Sequence, residues 1–114
     1  MTAALVLLAS TGARAGDTVD CNNAMTQMDM NICADREYQR ADKALGHAYT
    51  TAMSSEDGKG RELLRASERA WIAFRDAECT YEANASAGGS IQPMEYSNCL
   101  TELTKARTKQ LGGK

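Results

Sequence analysis

The chain is poor in the residues that build β-structure and in those that carry acid–base chemistry. Of its 114 residues one is Pro, one Trp, one Phe and one His, and aromatics make up 5%. So few aromatics and turn formers argue against a β-sandwich, which needs β-branched and aromatic strands punctuated by turns. A charge excess is also missing: 13 Lys and Arg face 15 Asp and Glu, a net charge of −2. Without a basic surplus the chain is ill suited to nucleic acid or to an anionic membrane surface. No apolar run approaches the roughly 20 residues of a bilayer-spanning helix. No Cys-x-x-Cys pair is present, so neither a zinc site nor haem attachment is indicated. What remains is ordinary globular composition, 43% hydrophobic and 25% charged, in a length that suits one domain.

Ala3 to Ala9 is a short apolar run, and Ala13-Arg14-Ala15 is an Ala-x-Ala cleavage pattern. Together they predict a signal peptide over residues 1–15, removed on export, and a single helical domain over 16–114. Val19-Asp20 before Cys21 does not make a lipobox, because the position before a lipidated Cys wants a small uncharged residue. The exported chain loses Arg14, so 12 basic residues face 15 acidic ones, a net of −3. The expected location is periplasmic or secreted, with no membrane insertion after cleavage. Mild acidity of this kind suits a cationic partner.

Three amphipathic stretches follow. Thr26-Gln27-Met28-Asp29 resembles a capping box with Asp in place of Glu. Apolar positions then recur in threes and fours through Tyr38, Ala41, Leu45, Tyr49 and Ala52, predicting a helix from Gln27 to Met53. Ser54 to Gly60 reads as a turn. A second helix is predicted over Arg61–Ala83, with Leu64, Ser67, Trp71, Phe74, Ala77 and Tyr81 as its buried stripe. Asn84 to Gln92 is a loop of small residues, and Pro93 suits the first turn of a third helix. That helix carries Leu100, Leu103, Ala106 and Leu111 and stops at Gly112-Gly113. Short turns make neighbouring helices antiparallel, so the expected fold is all-α, a small antiparallel three-helix bundle.

Cys21, Cys33, Cys79 and Cys99 are an even number in a short exported chain and read as two disulfides. Three pairings are open. Cys79 and Cys99 stand almost level when counted outward from the loop between the second and third helices. Geometry therefore favours Cys79–Cys99, leaving Cys21–Cys33 to pin the N-terminal arm to the first helix.

The residues now resemble a family. Cys21-Asn22, Thr26-Gln27, Met30-Asn31 and Cys33-Ala34 are similar to the opening of the lysozyme inhibitor LprI N-terminal-like family. Trp71-Ile72-Ala73-Phe74-Arg75-Asp76-Ala77-Glu78-Cys79 resembles its central signature, and Gly88-Gly89-Ser90, Cys99, Leu103-Thr104 and Arg107 its closing segment. The resemblance spans nearly the whole exported chain. Gly46 and Glu68 depart from the pattern, standing where Asn and Gln are expected. The resemblance implies a small, helical, disulfide-bonded envelope protein that inhibits lysozyme, a peptidoglycan hydrolase.

The residues themselves offer little catalysis. His47 lies in mid-helix and reads as solvent-facing, and no Ser or Cys nucleophile has a partner at a recognisable spacing. Asp42 and Asp76 sit beside stripe positions, where they are expected to pair with Arg69 or Arg75, or with Arg107, in structural ion pairs. Trp71, Phe74 and Tyr81 are expected in the core, as are Met25 and Met28. A Cu(I) site on Met25 and Met28 is the least supported function, and neither a metal nor a cofactor is called for. The best interaction candidate is the loop with Ser86, Gly88, Gly89 and Ser90, whose glycines free the backbone and whose hydroxyls can donate. Lys59, in the other turn, lies at the opposite end and cannot share that patch. The reading is thus an exported, non-enzymatic protein that blocks a lysozyme with this loop. The alternative is an envelope interaction module with another protein partner. The oligomeric state is not fixed by the sequence.

Overall fold

The computed structural model describes residues 18–112, so the expected signal peptide over 1–15 lies outside the described residues. Within them the chain is helical, with no strand. Helix α1 spans Gln27–Ser54. Thr26 starts it: the Thr26 hydroxyl accepts the Asp29 N–H at 3.1 Å, the first half of a capping box. Helix α2 spans Gly58–Ala83 and so begins before the expected Arg61. Asp57 is the reason. Its carboxylate accepts the Gly60 N–H at 2.7 Å, which turns the apparent Gly58-Lys59-Gly60 turn into the first turn of a capped helix. A 3-10 turn, Asn84–Ser86, leads toward helix α3, Gln92–Gln110, with Pro93 in its first turn. Gly112, at φ +87°, follows its end, a left-handed position that other residues adopt at a cost.

Helix α3 is the element on which both others lean, while α1 and α2 touch each other little. Contacts between α2 and α3 run in opposite chain order: Cys79 with Cys99, then Arg75 with Thr104, then Glu68 with Arg107. Contacts between α1 and α3 run in the same order, from Gln27 with Met94 to Ala44 beside Thr108. Two disulfides close the fold, Cys21–Cys33 and Cys79–Cys99, and no cysteine is free. These are the pairings that level counting favoured.

The core gathers round the second bridge. Cys79, Cys99 and Leu100 are buried, with Tyr38, Tyr96 and Leu103 packed against them. Elsewhere the inner positions are small: Ala34, Ala41 and Ala48 beside Leu45 on α1, and Ser97, Thr101 and Thr104 on α3. With Tyr38 included, the α1 positions step by four and three, so one narrow seam faces α3. Helix α3 departs from its expected stripe. Leu100 is buried, but Leu103 and Leu111 are half-buried and Ala106 is exposed. A helix flanked on two sides buries more than one stripe, and its small hydroxyl residues fit where its neighbours come close.

Helix α2 overturns its expected stripe more thoroughly. Its buried residues are Glu68, Arg75, Cys79 and Ala83. Phe74 and Tyr81, expected in the core, are 54% and 76% exposed, and Trp71 is half-buried. The cause is covalent: the bond to Cys99 points Cys79 at α3 and so sets the rotation of the helix. Arg75 and Ala83, one turn to either side, and Glu68, three turns back, then become the inside, whatever their polarity. Met25 and Met28, also expected to pack, are exposed, lying at the tip where α1 begins.

Candidate interaction site

The glycine loop sits at the end of the molecule where α1 and α3 start and α2 stops. Gly88 has φ +80°, a conformation that favours glycine. Gly89 is needed for a different reason. Its N–H donates to the Ser86 carbonyl at 2.9 Å, and a Cβ there would stand 3.1 Å from that same oxygen. The Gly88 N–H donates to Gln92 Oε1 at 3.3 Å, and the Gln92 N–H to the Gly89 carbonyl at 3.2 Å. The turn is therefore closed on itself and on the first residue of α3.

Two further ties hold it to the body. The Ser86 hydroxyl donates to Glu95 Oε2 at 2.6 Å. Asn31 Nδ2 of α1 donates to the Ser90 carbonyl at 2.9 Å, and Gln27 Nε2 donates in turn to Asn31 Oδ1 at 2.8 Å. The four loop residues thus have unequal parts. Ser86 is half-buried and its hydroxyl is engaged, whereas Ser90 is exposed and its hydroxyl donates to nothing among the described residues. Sequence reasoning missed Gln27, Asn31, Gln92 and Glu95 as the brace. The available signal was Gln27 and Asn31, two amides four apart that share a helix face. The Cys21–Cys33 bridge stands at the same end, with Arg36 Nη1 donating to the Val19 carbonyl at 2.8 Å to fix the arm.

The ion-pair residues lie further along. Arg75 is buried and reaches Asp76 Oδ1 at 3.0 Å and Asp42 Oδ1 at 3.7 Å. Its Nη1 donates to Thr104 Oγ1 at 3.4 Å, and its guanidinium lies over the rings of Tyr38 and Trp71, 5.4 and 5.2 Å from their centroids. One cation thus joins all three helices. Burial raises the Tyr38 phenol above its ordinary pKa, with Arg75 pulling the other way. Arg69 does not join this group. It is exposed and makes no ion pair among the described residues, lining instead an open groove of about 370 Å³ with Asp42, Leu45, Gly46 and Tyr49. The buried pair that the sequence did not single out is Glu68 with Arg107. Arg107 Nε donates to Glu68 Oε2 at 3.0 Å and Nη2 to Ser67 Oγ at 3.1 Å, with both charged side chains nearly covered. The signal was spacing, since Glu68 lies seven residues before Arg75, two turns along the same face.

His47 is exposed on α1. Among the described residues no three His, Cys, Asp or Glu cluster in a way that could hold a metal ion. No described helix is long and apolar enough to cross a membrane. The arrangement presents a braced loop with one uncommitted hydroxyl at an oxidised, covalently closed end.

Comparison with known proteins adds what geometry does not. A family model described as "Lysozyme inhibitor LprI" matches residues 20–111. An uncharacterized protein, R02472 of Rhizobium meliloti (strain 1021), is 38% identical over 105 residues, covering 81% of this chain and 76% of that protein. The uncharacterized protein YecT of Escherichia coli (strain K12) is 31% identical over 112 residues, covering 81% of this chain and 69% of its own. No solved structure matches the chain.

Proposed function

The chain belongs to the LprI lysozyme-inhibitor family, and from that premise we propose that it is an exported, non-catalytic ligand that binds and blocks a lysozyme-type peptidoglycan hydrolase. The family match over residues 20–111 is the observation that carries the reading. The two disulfides suit an oxidising compartment outside the cytoplasm. The antiparallel, up-down-up bundle belongs to the same reading.

The proposed contact is the loop from Ser86 to Ser90. A lysozyme cleft works with a carboxylic acid and a carboxylate. Donors suit such groups, and the Ser90 hydroxyl is the exposed donor of this loop. Gly88 and Gly89 keep the tip narrow, while Ser86 acts from beneath through Glu95. Bracing from α1 and α3 lowers the ordering cost of binding. The net charge of −3 without the leader favours encounter with a cationic enzyme.

The test is the rate of peptidoglycan lysis by an animal-type lysozyme in the presence of the folded, disulfide-intact protein. Saturating inhibition is expected. Ser90→Ala should weaken it about tenfold, the loss of one hydrogen bond to a charged group. Full lysozyme activity under a large molar excess of wild type would end the proposal.

A further inference from the structure

The outer face of α2 is a largely apolar seam that, apart from Ser67, whose hydroxyl at its edge accepts from Arg107 Nη2, no other described element covers. Leu63, Ser67, Ala70, Phe74, Ala77 and Tyr81 recur at steps of four, three, four, three and four. That 3.5-residue repeat is the pattern of a helix that packs lengthwise on another helix. The inner contact of α2 uses a different face, through Glu68, Arg75, Cys79 and Ala83. Leu63, Phe74 and Tyr81 are all more than half exposed. A pattern that calls for burial is therefore left largely uncovered among the described residues.

We propose that this seam is a dimer interface, covered by α2 of a second copy of this chain running antiparallel. The sequence of the seam is complementary to itself in that direction. With the twofold axis beside residue 72, Leu63 meets Tyr81, Ser67 meets Ala77, and Ala70 meets Phe74 of the other copy. The Phe74 ring thus lies over an alanine, and each layer pairs the two kinds of seam position that face each other in antiparallel helix pairs. A parallel pair sets Phe74 on Phe74 and Tyr81 on Tyr81, with facing alanines leaving gaps between them. The only charged residue at the seam's edge between Leu63 and Tyr81 is Glu78, which the antiparallel register brings level with Ala66 rather than with another carboxylate.

Area sets the strength. Three half-to-three-quarters exposed large side chains and the intervening alanines offer roughly 500 Å² per copy, or about 1,000 Å² in all, the lower edge of specific interfaces. The dimer is accordingly weak and forms at high protein concentration. The proposal is independent of the loop, which projects beyond the end of α2.

Sedimentation equilibrium of the disulfide-intact protein, from about 10 µM to about 1 mM, tests it. The average mass is expected to rise toward twice that of the chain. Phe74→Glu should hold it at the monomer value by weakening association about thirtyfold or more, as loss of a central aromatic anchor does. Should Phe74→Glu lose its far-ultraviolet helical signal, Tyr81→Glu, at a more exposed position, gives the same readout. A wild type that stays monomeric across the range overturns the proposal and leaves the face to another protein. A dimer that survives both substitutions overturns it too, since it must use another surface.

Discussion

The two faces of α2 are inverted relative to ordinary expectation. The inner face holds a buried glutamate, a buried arginine and a half-cystine, while the outer face holds a leucine, a phenylalanine and a tyrosine in contact with solvent. The difference shows what fixes orientation in so small a protein. One covalent bond at Cys79 and two ion-paired groups, Glu68 with Arg107 of α3 and Arg75 with Asp42 of α1 and with Asp76, outrank the hydrophobic preference of the aromatics. Buried charge survives because each group has its counterpart: Glu68 has Arg107, and Arg75 has Asp76, Asp42 and Thr104.

The comparison breaks most sharply at Arg107. Its replacement by Ala leaves Glu68 buried without a partner and should cost about 3–5 kcal/mol in urea unfolding. Removing the inner bridge comes next. Cys79→Ala with Cys99→Ala releases an unfolded-state loop and should cost about 3 kcal/mol by the same measurement. The Cys21–Cys33 bridge, exposed at Cys21, should be the first reduced under limiting thiol, as mass mapping of the alkylated protein can read.

A pH effect follows from Tyr38, which touches the inner face through Arg75. Its pKa is raised in the folded state, so folding favours the protonated phenol. The associated stability is present below the ordinary tyrosine pKa near about 10 and is lost as pH rises through the folded value. Tyr38→Phe should flatten the alkaline limb of a stability–pH curve. The outer face supplies the smallest effect. Phe74→Ser, measured at dilution, should change stability by less than about 0.5 kcal/mol, although a phenylalanine is lost. A cost as large as that of Arg107→Ala would mean that Phe74 is packed after all.

Much of this was legible in the chain. Helix number, the capping Thr26 and both disulfide pairings followed from caps, periodicity and the level of Cys79 with Cys99. The start of α2 was misread because Gly58 and Gly60 suggest a turn, while the cap at Asp57 decides otherwise. The α2 stripe was misread because periodicity reports that a face is suited to burial and not which neighbour covers it. Glu68 marks the same limit from the other side. It stood where the family resemblance led to Gln, and only the approach of Arg107 turns that departure into a buried ion pair. In the loop, Gly88 and Gly89 were visible. The brace from Gln27 and Asn31 was not, because it joins residues 59 apart in sequence.

A double-mutant cycle on Glu68 and Arg107 reaches the centre of this account most directly. Glu68→Met and Arg107→Leu should each be strongly destabilising alone, and the double variant should recover much of the loss, with a coupling of about 1.5 kcal/mol or more. Additive losses, with coupling near zero, would contradict the claim that paired charge holds the inner face of α2 in place.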